Sequence, residues 1–208
     1  MSGPFHRASS SLPSAMHTPG HVLLNLALLG NIVGHEGAVM AGALVPDLPI
    51  VVLYLRERLR GTPPATIWSV CYQRKHWLAV IHGAHSAPLA ILGVCLALIG
   101  HSSALTYFFC SVLCHSLCDF PLHAEDAHRH FFPISNYRFI SPWSYWDARH
   151  HGRLVSLLEA LLVLACSLFI YFAMSPRWTL FPRPLTGALL LTTNLWYVQN
   201  YYRSFLRS

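Results

Sequence analysis

Three residues of types that commonly bind metal ions, His115, Asp119 and His123, follow one another at intervals of four. This spacing places all three on one face of a helix. They lie in or directly after the apolar stretch from Leu105 to Leu122, which contains no Lys or Arg. An ionised carboxylate in such a stretch needs a partner, which can be a proton, a residue of another helix or a bound cation.

Two further acids, Asp47 in the segment VPDLP and Glu159 in LLEALL, also lie in apolar stretches without a Lys or Arg beside them. A charged Asp in the centre of a membrane helix costs about 2.5 to 3.5 kcal/mol even on moderate scales. A cation held by carboxylate and imidazole groups would offset this cost, and such ligands suit zinc, manganese or iron. The pattern therefore predicts a metal site.

The composition is that of an integral membrane protein. The 208 residues are 54% hydrophobic and only 11% charged, with a mean hydropathy of +0.43, whereas about 25% of residues in soluble domains are charged. Membrane helices take about 17 to 25 residues, and the apolar stretches that are candidates cover residues 22–33, 38–55, 78–99, 105–122, 154–174 and 185–198. We therefore predict an all-α, polytopic membrane bundle with four to six membrane helices.

The first two stretches are irregular. The first is short and contains Asn25 and Asn31, and the second is interrupted by Pro46, Asp47 and Pro49. They are predicted either to span the bilayer or to form a re-entrant hairpin.

The basic residues predict an orientation. In either arrangement, twelve of the fourteen Lys and Arg residues fall on one side of the membrane, and only Arg177 and Arg183 fall on the other. The positive-inside rule makes the first side cytoplasmic, so both termini are expected on the cytoplasmic side of a plasma or inner membrane. This topology also explains the net charge of +6, so we expect membrane lipids, and no nucleic acid, as partners.

The predicted organisation has one folded unit between two tails. A polar N-terminal tail covers residues 1–20, a single membrane-embedded domain covers 21–202, and a short basic tail covers 203–208. Within the domain, residues 123–153 are predicted to form a long cytoplasmic loop over the metal site.

The candidate ligands converge, on this topology, in the cytoplasmic half of the bilayer. The predicted set is His21, Asp47, His85, His115, Asp119, His123, His151 and Glu159. His35 and His101 fall at the opposite side, and His128 and His130 are expected to be interfacial or hydrogen-bonded imidazoles. The number of ligands predicts one or two divalent ions, with zinc as the first choice and manganese or iron as alternatives.

Several segments together resemble the YdjM-like family of predicted membrane-bound metal-dependent hydrolases. They are HTPGHVLLNLALL, GALVPDLP, the AHS at residues 84–86, HSLCD and FPISNYRFISP. The resemblance implies a helical membrane protein with metal-dependent hydrolase activity, and matching motifs carries the family's residues onto His21, Asp47, His85, His115 and Asp119. The chain departs from the family at Val80, where members often carry a second histidine, and His82 lies two residues beyond it.

A more distant likeness is to zinc-dependent phospholipase C and related single-strand nucleases. Their all-helical metal centres use, in chain order, an early His, an Asp, a lone His, an HxxxD helix, and a late His with a Glu four residues on. Here the late pair, His151 and Glu159, is eight residues apart. The likeness implies a reaction class, phosphoester hydrolysis, without fixing the ligands.

The expected function is therefore hydrolysis of a phosphoester in a lipid or lipid-linked substrate. Asp47, in its Pro-broken helix, is the predicted bridging ligand or general base, and Arg138 of the loop is predicted to hold a phosphate by paired donors. A transporter or channel for metal ions or protons is the main alternative, because intramembrane Asp, Glu and His also mark such pathways. A non-catalytic scaffold would explain the apolar stretches but not the unpaired acids.

Overall fold

The computed structural model describes residues 18–30, 34–124, 126–144, 148–178 and 180–206, within which all regular elements are helical. Most of the predicted N-terminal tail, and residues 145–147 of the predicted loop, lie outside the described residues. The helices are α1 (Thr18–Leu29), α2 (Glu36–Leu44), α3 (Leu48–Leu59), α4 (Pro64–Thr66), α5 (Lys75–Ala84), α6 (Ala87–Ile99), α7 (Ser103–Asp119), α8 (Gly152–Phe169) and α9 (Arg183–Leu206).

Two of these helices continue as other helical turns. A π-helical turn, Ile67–Cys71, follows α4. Helix α8 continues as a second π-helical turn, Ile170–Met174, and a 3₁₀ turn, Ser175–Arg177, and it is preceded by the 3₁₀ turn Ala148–His150. The all-helical prediction is therefore confirmed for the described part of the chain.

The membrane-spanning capacity of the described helices is smaller than the sequence predicts. Only Gly152–Arg177 is long and apolar enough to cross a membrane by itself. Two bent pairs reach that length together: Glu36–Leu44 with Leu48–Leu59, bent by 56°, and Lys75–Ala84 with Ala87–Ile99, bent by 50°. Length and composition thus allow one to three spans, and the prediction of four to six is not confirmed.

The two bends have identifiable causes in the sequence. Pro46 lies in the first bend and Pro49 in the first turn of α3, where a proline lacks the amide that would continue the preceding helix. In the second bend, the Ser86 hydroxyl accepts a hydrogen bond from the Leu89 amide at 3.2 Å, and Pro88 occupies the first turn of α6. A new helix therefore starts at each bend.

Helix α7 contacts both α2 and α6 over much of its length, and glycines allow the close approach. A Cβ atom at Gly42 would lie 2.2 Å from the Phe108 carbonyl oxygen, and one at Gly93 would lie 2.3 Å from the Phe109 ring. On its other side, the bundle is closed by an apolar core that joins α1 and α2 to α8 and α9. The members of this core that are buried include Leu26, Val39, Val163, Ile170 and Leu190.

The α2–α7 contact gives a direct test of the fold. We expect Gly42→Ala to lower the free energy of unfolding by about 1 to 3 kcal/mol, because the new methyl group overpacks against the α7 backbone. Gly37→Ala is the matched control in the same helix, since a Cβ there meets nothing within 4 Å and alanine favours a helix by about 0.8 to 1.0 kcal/mol over glycine. Unfolding in mixed detergent micelles measures both, and equal stability of the two variants would contradict this packing.

Candidate metal centre

The first part of the centre lies where the start of α1 meets the end of α7. His21, in the first turn of α1, and His115, in α7, are fully buried and stack with ring centroids 3.7 Å apart. Asp119 follows His115 by one helical turn and is 1% exposed. Its Oδ1 lies 3.0 Å from His21 Nε2, without hydrogen-bond geometry, and its Oδ2 lies 3.3 Å from His115 Nε2.

The second part comes from the two bends. Asp47 ends the bend between α2 and α3, and His85 begins the bend between α5 and α6. His85 Nε2 lies 3.6 Å from Asp47 Oδ1 and 3.6 Å from Asp119 Oδ2, and Asp47 Oδ1 lies 3.7 Å from His115 Nε2. The other Asp47 oxygen accepts a hydrogen bond from the Thr18 hydroxyl at 2.6 Å. Residues distant in sequence therefore meet at one point.

Buried His and Asp groups here could hold a metal ion. Three overlapping groups have ligand atoms within 4.8 Å of one another, and all their members are buried. They are His21 with His115 and Asp119; Asp47 with His85 and His115; and His85 with Asp119 and His128. Five of the eight predicted ligands belong to these groups.

The orientation of the imidazoles is fixed by hydrogen bonds on their outer sides. His85 Nδ1 lies 2.9 Å from the Ile81 carbonyl oxygen, and His115 Nδ1 lies 2.8 Å from the Ala43 carbonyl oxygen. A carbonyl oxygen only accepts, so in both rings Nδ1 carries the proton and donates it. In the neutral ring each Nε2 then presents a lone pair to the centre, the arrangement that protein metal ligands commonly show.

Lone pairs and carboxylate oxygens facing one another repel unless a positive charge lies between them. Nε2 of His85 and of His115 is buried and has no hydrogen-bond partner among the described residues. Their distances to the oxygens of Asp47 and Asp119 are 3.3 to 3.7 Å. Ligands about 2.0 to 2.2 Å from a tetrahedral zinc ion are about 3.3 to 3.6 Å apart. The spacing therefore fits ligands around an ion.

His123 joins the centre from the first residues after α7. Its Nε2 lies 3.6 Å from Asp119 Oδ1, and its Nδ1 lies 2.9 Å from Asp126 Oδ2. Burial alone would lower the pKa of His123, but the hydrogen bonds and charges of Asp119 and Asp126 raise it to about 10. The two carboxylates therefore favour a positive charge on or beside the His123 ring, and a proton or a bound cation can supply it.

His128 belongs to one of the three groups, although its sequence context predicts an interfacial or hydrogen-bonded imidazole. Its ring stacks on His85 with centroids 4.1 Å apart, and it is 3% exposed. Burial lowers the pKa of His128 well below its usual value, so the ring is neutral and can act as a ligand. Its position five residues after His123 fits no helical period, and the only available signal was the density of histidines in this loop.

The loop that carries His123 and His128 covers the centre. The Ala87 amide, at the start of α6, donates to the His130 carbonyl oxygen at 2.9 Å, and the Ser86 hydroxyl donates to the Phe132 carbonyl oxygen. The Ser141 amide donates to the His123 carbonyl oxygen at 2.9 Å. The loop is thus attached to the second bend and returns to its own beginning.

His82 and Arg138 lie beside this loop. His82 is 6% exposed, and its Nδ1 accepts a hydrogen bond from the Arg129 amide at 3.3 Å; it is in none of the three groups. Arg138 Nε donates to the Ala127 carbonyl oxygen at 2.7 Å. Arg138 therefore lies next to the segment that carries His128, as a loop residue at the border of the site.

The last two predicted ligands, His151 and Glu159, are in none of the three groups. His151 is exposed, precedes α8 with a φ of 59°, and its ring lies 4.7 Å from that of Trp143. Glu159 is 5% exposed, and its Oε1 accepts a hydrogen bond from the Tyr197 hydroxyl at 2.8 Å. Glu159 thus has a neutral hydrogen-bond donor on α9.

No family model, curated protein or solved structure matches the chain. The class that fold and site define is a helical protein with a buried His/Asp centre able to hold a metal ion.

The contact between Asp126 and His123 supplies a test of the centre. We expect Asp126→Asn to weaken metal binding by roughly 10- to 100-fold, because the carboxylate that orients the ring and raises its basicity is lost. Titration of the detergent-solubilised protein with Zn²⁺, followed by calorimetry, measures this change. Asn136→Lys, in an exposed part of the same loop, raises the loop charge by the same one unit and is the control, and equal loss in both variants would remove the special role of Asp126.

Proposed function

We propose that this protein is a membrane-bound metal-dependent hydrolase that acts on a phosphoester in a lipid or lipid-linked substrate. The observation that carries the proposal is the pair of buried Nε2 atoms of His85 and His115, whose rings are fixed from behind by backbone carbonyls and which face the carboxylates of Asp47 and Asp119. Such an arrangement is expected of metal ligands and has no evident use in packing alone. The resemblance to the YdjM-like family supports metal-dependent hydrolysis, and the more distant likeness to zinc-dependent phospholipase C supports a phosphoester as the substrate.

The membrane location is supported by the outer surface of the helices. Large apolar side chains are exposed along α6, α8 and α9, and examples are Leu92, Leu96, Leu158, Leu161, Leu168, Leu191 and Leu195. Large exposed apolar surfaces of this kind mark a membrane or a protein interface. We place the bundle in a plasma or inner membrane with four to six crossing or re-entrant elements, and the positive-inside rule puts the centre at the cytoplasmic face.

Zinc is the metal that we propose first, as one or two ions. The two oxygens of Asp119 face different sets of imidazoles: Oδ1 faces His21 and His123, and Oδ2 faces His85 and His115. Asp119 is therefore placed to be shared by two ions, with Asp47 on the Oδ2 side. When bound, divalent ions of this kind lower the pKa of a water ligand and neutralise charge on a phosphoryl group.

Asp47 is the residue of the centre best placed to meet substrate. It is 8% exposed, whereas His21, His85, His115 and Asp119 are at most 1% exposed. Its Oδ2 is oriented by the Thr18 hydroxyl. We assign it the role of general base or ligand at the open side of the centre, where it can accept a proton from the attacking water. Arg138 would approach a phosphate from the covering loop.

Metal content tests the first half of the proposal. We expect the wild-type protein, purified in mild detergent without chelator, to contain a divalent metal, and His115→Ala and Asp119→Ala to lose most of it because each removes a central ligand. Elemental analysis of the monodisperse fraction measures the content. His76→Ala, at an exposed position of α5, should retain the wild-type amount, and a metal-free wild type would exclude the metal site.

Activity tests the second half. We expect the metal-loaded protein to hydrolyse a generic phosphodiester or a phospholipid, and Asp47→Asn to lower kcat by roughly 10²- to 10⁴-fold, as removal of a general base does. Release of the alcohol is measured, as nitrophenol from a nitrophenyl phosphodiester or diacylglycerol from the phospholipid, together with metal content. Glu36→Gln changes another buried acid, at the start of α2, and should keep the activity. Unchanged turnover in Asp47→Asn would remove Asp47 from the reaction.

Transport of a metal ion or of protons is the second candidate function. Helices that break where they carry ion ligands are common in transporters. A buried polar contact also lies deeper in the bundle, next to the candidate ligands: Asn25 Nδ2 donates to Ser111 Oγ at 2.8 Å. Asn25 and Ser111 lie one turn from His21 and His115, respectively. Zinc or proton flux into proteoliposomes, without hydrolysis of any ester, would favour this function.

A further inference from the structure

The segment between the two bends forms a unit of its own, which we call the α3 hairpin (residues 48–84). Helices α3 and α5 pack on each other and on the π-helical turn between them. The hairpin has a small apolar core of Leu53, Ile67 and Cys71 that is separate from the core of the bundle. Helix α3 is bent by 56° from α2 at one attachment, and α5 is bent by 50° from α6 at the other.

The outer face of α3 is an uncovered apolar stripe. It consists of Leu48, Val51, Val52, Leu55 and Leu59, which are between 45% and 89% exposed. With a rotation of about 100° per residue, these positions fall within a stripe about 100° wide, opposite the buried Leu53 and Glu57. A stripe of this width on a surface helix normally faces a core or a membrane.

Positive charge borders the stripe on both sides. Arg56 and Arg58 flank it at about 80° from its centre on the helical wheel, and both are exposed. The hairpin contains five Lys and Arg residues and a single acid, Glu57, which is 4% exposed and forms an ion pair with Arg60 at 3.3 Å. The free surface of the hairpin is therefore cationic around an apolar stripe.

The chemistry of this surface favours lipid over nucleic acid. Binding of single-stranded nucleic acid needs exposed aromatic rings on which bases stack, but Trp68 is 5% exposed and stacks on Tyr54 inside the hairpin. Arginines beside leucine and valine match the boundary between anionic headgroups and acyl chains. Each Lys or Arg near such a surface adds about 1 kcal/mol of attraction, roughly fivefold in binding.

We infer that the α3 hairpin lies in the headgroup layer of an anionic leaflet, with its stripe on the acyl chains and Arg56 and Arg58 on lipid phosphates. This interaction goes beyond the proposed reaction and does not depend on it. Because the hairpin is attached through Asp47 and His85, the same lipids border the metal centre.

Photo-crosslinking in nanodiscs tests this inference on the full chain. Benzoylphenylalanine placed at Leu55, in the stripe, is expected to crosslink to phospholipid acyl chains, severalfold more in discs that contain phosphatidylglycerol than in discs of phosphatidylcholine alone. The same probe at Ala65, exposed in α4 but outside the stripe, is expected to give little lipid adduct. Mass spectrometry of the adducts measures both yields.

A charge-matched pair of variants tests the role of the arginines. The double variant Arg56→Gln with Arg58→Gln should lower the excess crosslinking in anionic discs by roughly tenfold or more. The control is Arg177→Gln with Arg183→Gln, at the connection between α8 and α9, which should leave the crosslinking unchanged. Equal adduct yields at positions 55 and 65, no effect of anionic lipid, or nucleic acid retained through Arg56 and Arg58 would each overturn the inference. Metal content, measured in parallel, is expected to stay unchanged and separates this result from that of the metal centre.

Discussion

The constraint on which the structure depends is the placement of two carboxylates, Asp47 and Asp119, among imidazole nitrogens in a buried site. Within the described residues, the short charged contacts of both acids are to histidines and not to Lys or Arg. Carboxylate oxygens and Nε2 atoms held at 3.3 to 3.7 Å need a positive charge between them, which a proton on the imidazole or a bound cation supplies. The surrounding backbone resists relaxation, because the Ile81 and Ala43 carbonyls hold the rings from behind.

The bends in the two long apolar segments follow from the same constraint. A straight helix can aim only residues three or four apart at one point, and in this bundle the two bent segments contribute one ligand each at the bend itself. Asp47 and His85 lie where the helices break, and their side chains can therefore meet the α1 and α7 ligands. The cost of each break is reduced locally, by prolines that need no amide partner and by the Ser86 cap.

Much of the centre could be predicted because its signals are local. The four-residue spacing indicated His115, Asp119 and His123, and the unpaired acid in a proline-broken stretch indicated Asp47. The break at His85 was missed, because the apolar pattern of residues 78–99 is continuous although Ser86 and Pro88 are typical of a helix start. His128 lies in a loop without periodicity. Tyr197, which donates to Glu159, lies 38 positions away in sequence. The sequence around Glu159 therefore gave no sign that this acid has a hydrogen-bond donor.

The distribution of the ligands along the chain has a consequence for biosynthesis. His21 and His123 are roughly one hundred residues apart, and the residues of the three candidate groups end at His128. All of these side chains have therefore been made before the ribosome reaches α8. The last two helices pack on α1 through the large apolar core, so they close the bundle around a ligand set that is already complete. A nascent chain paused after residue 128 would already carry every member of those groups.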